Sequence, residues 1–115
     1  NAPEGVAAFR AAFRAVAAAA PTFAVAGNSD AAFPGVDPFA GTGARELRGV
    51  DTITVRGVPL RLVGASRPGD WRRVRAALRG ARAGEVVVFV AHTPDVVDDV
   101  TRWGAELVLA GHTHG

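Results

Sequence analysis

The three histidines of the chain, His92, His112 and His114, each follow shortly after an apolar run, and so does Asn28. Imidazole nitrogens are common metal ligands, whereas an amide oxygen suits a harder cation. His112 and His114 stand two apart, so continued strand geometry would turn both rings to one side and offer two nitrogens to one ion. By nitrogen count alone, His92, His112 and His114 could hold one zinc that activates a water, as in a mononuclear hydrolase. Asn28 argues for a different ion, because its neutral oxygen has no place in an all-histidine zinc site. The simplest alternative makes His92 a helix cap and His112 and His114 exposed loop residues.

The elements that position these residues are legible in the pattern of apolar positions. Val6, Phe9, Phe13 and Val16 recur at spacings of three and four, which predicts an amphipathic helix over 3–20. Pro3 suits its first turn, Glu4 complements the helix dipole, and Pro21 stops it. Residues 22–26 form a short apolar run without alternation, as in a strand buried on both faces, and a loop rich in Pro, Gly and Asp extends to Gly43. The segments 51–56 and 58–63 alternate across Gly57 and read as an antiparallel hairpin, with Pro59 arguing for an edge position. Trp71, Val74 and Leu78 mark the buried stripe of an Arg-rich helix over 71–82. A strongly apolar strand over 85–91, a helix over about 94–103 and a last strand over 106–110 complete an α/β order. Ligands of such sheets gather beyond the carboxyl ends of the strands, where Asn28 and all three histidines would lie.

Composition narrows the classes. The chain has 115 residues, 49% of them hydrophobic, enough for one small globular domain and too few for two. Cys is absent, which excludes thiolate metal sites and disulfides, so metal ligands would have to be His, Asn or carboxylate. All 13 basic residues are Arg, yet the formal charge is only +2, so nothing specifically indicates a nucleic-acid partner. No apolar run approaches the ~20 residues of a membrane span. The arginines of the helix over 71–82 suit either a solvated face or contact with anionic lipid or a phosphate-bearing substrate.

Three motifs carry a family resemblance: Gly27-Asn28-Ser29-Asp30, Ala91-His92-Thr93-Pro94-Asp95 and Gly111-His112-Thr113-His114-Gly115. In this order they resemble the later motifs of the calcineurin-like metallophosphoesterases, whose sequence of motifs is Asp-x-His, Gly-Asp, Gly-Asn-His-Asp/Glu, a His after a buried strand, and Gly-His-x-His. The wording is closest to the bacterial membrane-associated branch related to UDP-diacylglucosamine pyrophosphatases. The resemblance implies a fold that is part of the layered α/β-β-α metallophosphoesterase sandwich, with residues 1–115 as the C-terminal portion of one domain lacking its N-terminal strand-helix unit. It makes Asn28, His92 and His112 ligands of a second metal and His114 a ligand of the first, the cofactors being two divalent ions such as Mn, Fe or Zn about 4 Å apart. The implied activity is hydrolysis of a phosphomonoester, phosphodiester or pyrophosphate by a metal-activated water. Its substrate would be a small-molecule or lipid-linked phosphate ester, met in the cytoplasm or peripherally at the cytoplasmic membrane.

Two departures shape that expectation. The Asp-x-His and Gly-Asp motifs would belong upstream of Asn1, and without them the four matched ligands are all neutral. Two dications would then carry their charge with no carboxylate to bridge them, so the piece alone is expected to bind metal poorly and to be inactive. An apolar strand flank should also be left exposed, making the piece marginally stable. The second departure is Ser29, which stands where the family has a His that assists the leaving group. A hydroxyl is no general acid near neutral pH, which suits either a leaving group needing little protonation or a weakened enzyme that keeps the fold as a protein-binding scaffold. Ser29 and Asp30 are carried as candidate catalytic residues, against an ordinary turn role for both.

Overall fold

The computed structural model describes residues 3–27, 35–65 and 71–113. Helix α1 (Pro3–Ala19) is followed by β1 (Phe23–Ala24), β2 (Arg45–Glu46), β3 (Val50–Val55), β4 (Val58–Ala65), α2 (Trp71–Arg79), β5 (Val86–Ala91), α3 (Val97–Arg102) and β6 (Leu107–Ala110). The predicted α/β order is present. Four strands form a mixed sheet in the order β3-β4-β5-β6, and β1 and β2 make a separate short parallel pair. No helix among the described residues is long and apolar enough to cross a membrane.

The hairpin forms where the alternation places it. Arg56 and Gly57 both have positive φ, 49° and 80°, the combination that a tight two-residue turn between twisted strands requires. From there β4 runs antiparallel to β3 and parallel to β5, so it is an inner strand, not the edge that Pro59 suggests. The proline is tolerated because the β4–β5 pairing begins only at Leu60 opposite Val86, and Pro59 faces Thr54 of β3 alone. A missing N–H there removes no bond to β5.

Strand β5 has apolar side chains on both faces, which is why it reads as an unbroken hydrophobic run. Val87, Phe89 and Ala91 join Val63 of β4 against Val74, Ala77 and Leu78 of α2 and Val100 of α3. On the opposite face Val88 and Leu62 pack with Leu47, flanked by Phe23, Val25 and Ile53. Helices therefore cover one side and the β1–β2 segment covers the other. Leu47 is fully buried because Gly64 makes room for it: a Cβ at Gly64 would stand 2.2 Å from the Cβ of Leu47 and 2.8 Å from its carbonyl oxygen.

Several expected elements are shorter than their periodicity suggests. The run over 22–26 contributes only Phe23 and Ala24 to a ladder, although Arg45 N–H donates to the Thr22 carbonyl and Leu47 N–H to that of Ala24. Helix α2 ends at Arg79, and Arg82 instead enters a turn in which its N–H donates to the Glu85 carboxylate at 2.7 Å. Helix α3 starts at Val97, after a turn closed by Val97 N–H on the Pro94 carbonyl. Arg61 is polar in a strand because its Nε donates to the Ala77 carbonyl near the end of α2 at 2.7 Å, and a guanidinium is well placed at the negative end of a helix.

Helix α1 packs on the following loop. The rings of Phe9 and Phe13 stack at 4.3 Å and both meet Phe39, while Arg10 and Arg14 donate to the carbonyls of Asp37 and Gly41. At the far edge of the sheet, Leu107 and Leu109 of β6 are each 50% exposed, so the apolar face opposite the helices continues past its cover. Replacing Gly64 by Ala is expected to lower unfolding free energy by about 1–3 kcal/mol, read from the shift in urea midpoint, because Leu47 has a carbonyl as well as a side chain in the way. An unchanged midpoint would contradict the packing of Leu47 on Gly64.

Candidate metal centre

Ala91 and Ala110 are register partners at the carboxyl ends of β5 and β6, and the pairing extends one step further through Gly111 N–H donating to the His92 carbonyl at 3.0 Å. That step brings the two following side chains together. His92 Nε2 and His112 Nδ1 are 3.0 Å apart, with ring centroids at 4.8 Å and planes at 74°. Hydrogen bonding between them requires one ring to donate an N–H and the other to accept with its lone pair.

His112 reaches this position through an unusual backbone. Its φ is 70°, and Thr113 N–H closes a three-residue turn onto the Gly111 carbonyl at 2.9 Å. A non-glycine residue in this region costs on the order of 1–3 kcal/mol, which the surrounding contacts have to offset. The strand alternation that would align His112 with His114 therefore stops at Ala110, and His112 is aimed at His92 by the turn instead. His92 is not a helix cap: α3 is entered at Val96 without a side-chain cap, and the His92 ring is half-buried beside His112.

A third segment touches the pair. A Cβ built on Gly27 would lie 3.0 Å from Cε1, 3.1 Å from Nδ1 and 3.4 Å from Nε2 of His92, so the backbone after β1 runs against the imidazole and only Gly fits without displacing it. Gly27 was legible in the sequence only as part of a motif; its contact role depends on a neighbour 65 positions away by the numbering of Gly27 and His92. Asn28, Ser29, Asp30 and His114 lie outside the described residues. Among the described residues no group of three or more His, Asp or Glu side chains is gathered as a metal site.

The donor pair itself suits a metal. Two nitrogens bound at about 2.1 Å and at right angles on one ion stand about 3 Å apart, the spacing this pair already has. Both rings can ligate once the shared proton is released, since a ligating nitrogen must offer its lone pair. The half-burial of His92 against Gly27 limits its rotation, so the pair is oriented before any ion arrives. No protein-family model, curated protein or solved structure matches the chain. Replacing His112 by Ala is expected to move the imidazole ¹⁵N shifts of His92 in NMR spectra while leaving those of the sheet amides near Phe89 in place; an unmoved His92 would rule out the ring contact.

Proposed function

We propose that the chain takes part in hydrolysis of a phosphate ester or anhydride, with His92 and His112 as metal-holding residues. The observation that carries this reading is the 3.0 Å approach of two imidazole nitrogens from the carboxyl ends of adjacent parallel strands. Its context supports the same reading: Gly27 lies against His92, and the next residues in sequence are Asn28, Ser29 and Asp30 of the motif that resembles the metallophosphoesterase Gly-Asn-His-Asp/Glu. Asn28 and His114 are proposed to complete the ligand set of this chain, and the Asp-x-His and Gly-Asp carboxylates are proposed to be contributed from upstream of Asn1.

A bound divalent ion would supply Lewis acidity to a phosphoryl oxygen and a more acidic water. The chain's own part is to hold neutral nitrogen and oxygen donors in fixed geometry at a sheet edge. Gly27 restricts the His92 ring, and the turn at Gly111–Thr113 aims His112. Ser29 can donate a hydrogen bond to a departing oxygen but cannot protonate it as an imidazolium would, and Asp30 is placed by sequence to orient that hydroxyl. The proposed substrates are accordingly those with good leaving groups, such as a pyrophosphate or a nucleotide ester, in which the leaving oxygen stabilises its own charge.

The test uses the complete protein that carries this chain, a chromogenic phosphodiester and added manganese. Metal-dependent turnover is expected, and His92→Ala and His112→Ala are each expected to lower kcat/KM by at least about 100-fold, with weaker manganese binding by calorimetry. Absence of both bound metal and turnover would overturn the reading in favour of a scaffold that keeps only the fold. One zinc per chain, bound through His92, His112 and His114 and independent of Asn28, would favour the mononuclear alternative.

Ser29→His provides a separate check on the leaving-group account. In an active protein it is expected to raise turnover of a substrate with a poor leaving group by about 10-fold or more, and to change that of an activated aryl ester little. An equal response of both substrates would count against a role for position 29 in leaving-group protonation.

A further inference from the structure

Beside the carboxyl end of β4, on the side of the sheet away from β5, the described residues enclose a cavity of about 350 Å³ between the segment around Glu46–Arg48 and the first turns of α2. It is not the histidine site, since neither His92 nor His112 lines it. Its floor is apolar: Val63 of β4 and Val74 of α2, both of the core, contribute to it. At one wall stands Trp71, the first residue of α2, and the polar wall consists of Arg48, Arg73 and Glu46.

The charges of this wall are unequal, with two guanidiniums against one carboxylate. Glu46 is largely buried and receives both Nε of Arg48 at 2.7 Å and Nη2 at 2.5 Å on the single oxygen Oε2. This grip fixes one edge of the Arg48 guanidinium, and Nη1, which makes neither contact, remains as a donor on a side chain that is 71% exposed. The positive end of the α2 dipole adds to the field at Trp71. An inorganic anion would use the guanidiniums and leave the apolar floor wet; a neutral ring would use the floor and the indole and leave the charge unmatched. A ligand that answers both has a planar apolar part and an anionic group, and a cavity of this volume admits one of small-nucleotide size.

We infer that the cavity lined by Trp71, Arg48 and Arg73 is a binding site for a small organic phosphate bearing a planar ring, with the ring against Trp71 and the apolar floor and the phosphate on the two guanidiniums. Arginine offers the paired N–H geometry that a phosphate accepts, and an indole face accepts a stacked ring. The site does not depend on the metal reading, because none of its residues is a proposed ligand.

The experiment titrates the 115-residue chain carrying Trp103→Phe, in which Trp71 is the only indole, with AMP, adenosine and inorganic phosphate in EDTA. A saturable change in Trp71 fluorescence with AMP is expected, with adenosine and phosphate each binding at least about tenfold more weakly, the equivalent of one charge-assisted contact set or one stacked ring. Arg48→Gln and Arg73→Gln should each weaken AMP about fivefold or more, whereas Arg102→Gln, away from the cavity, should not. Calorimetry on the unsubstituted chain should reproduce the order of the three affinities. No saturable response to AMP by either method, equal binding of AMP and adenosine, or Arg48 and Arg73 variants that bind as the parent does would overturn the assignment. Phosphate binding as tightly as AMP would overturn its organic half.

Discussion

Three parallel strands end on one line. Ala65 pairs with Ala91, and Ala91 with Ala110, so β4, β5 and β6 release their chains at a common edge of the sheet. The features with chemical character depend on that register. The His92–His112 contact needs β5 and β6 to stop together, and the cavity beside Trp71 needs β4 to deliver Val63 and Ala65 beneath the start of α2. A slip of one residue would turn Phe89 from the helical face to the other and separate the two imidazoles, because side chains alternate strictly along a strand.

The register is held by burial on both faces of β5. Val63, Phe89 and Val100 have no exposed surface, and each such side chain contributes roughly 1.5–3 kcal/mol relative to exposure, before the entropy of ordering it is set against this. Opposite them, the fit of Leu47 over Gly64 ties the segment carrying Glu46 and Arg48 to β4. Arg61 secures the other end of α2 through the Ala77 carbonyl and lies 3.8 Å from Glu85, whose carboxylate also accepts the Arg82 N–H. Position along α2 is thereby set at its carboxyl end by polar contacts and along its length by Val74, Ala77 and Leu78 in the core.

At the histidine edge the same sheet supports a strained residue. The left-handed backbone of His112 is the local cost of bringing its ring to His92, and Gly27 gives up a side chain so that the same ring is held from the other side. Local strain and a close backbone approach around one imidazole pair are more readily explained by a ligand-holding arrangement than by packing, since His112 is exposed and buries little. The cavity at Trp71 shows a different economy: its charged wall is organised by Glu46, and its apolar floor is simply the core left uncovered between α2 and β4.

Local pattern alone was sufficient for the order and kind of the elements, for the turn at Arg56-Gly57, for the buried character of β5 and for the fact that His92 and His112 both follow strands. These depend on backbone geometry within a few residues, where periods of two or about 3.6 leave a direct trace in residue type. Pro59 misled because a ladder bond is lost only where a second neighbour is present, and that neighbour, β5, begins one residue later. The short extents of β1 and α3 were hidden for the same reason: partners and competing turns, not propensity, end an element. The meeting of Gly27 with His92, the turn that aims His112, the seat of Leu47 on Gly64 and the cavity between Arg48 and Trp71 were decided by tertiary structure alone. Each joins residues distant in sequence, and such contacts are selected by the packing of the whole sheet and its two covers, a free energy that no short stretch of the chain contains.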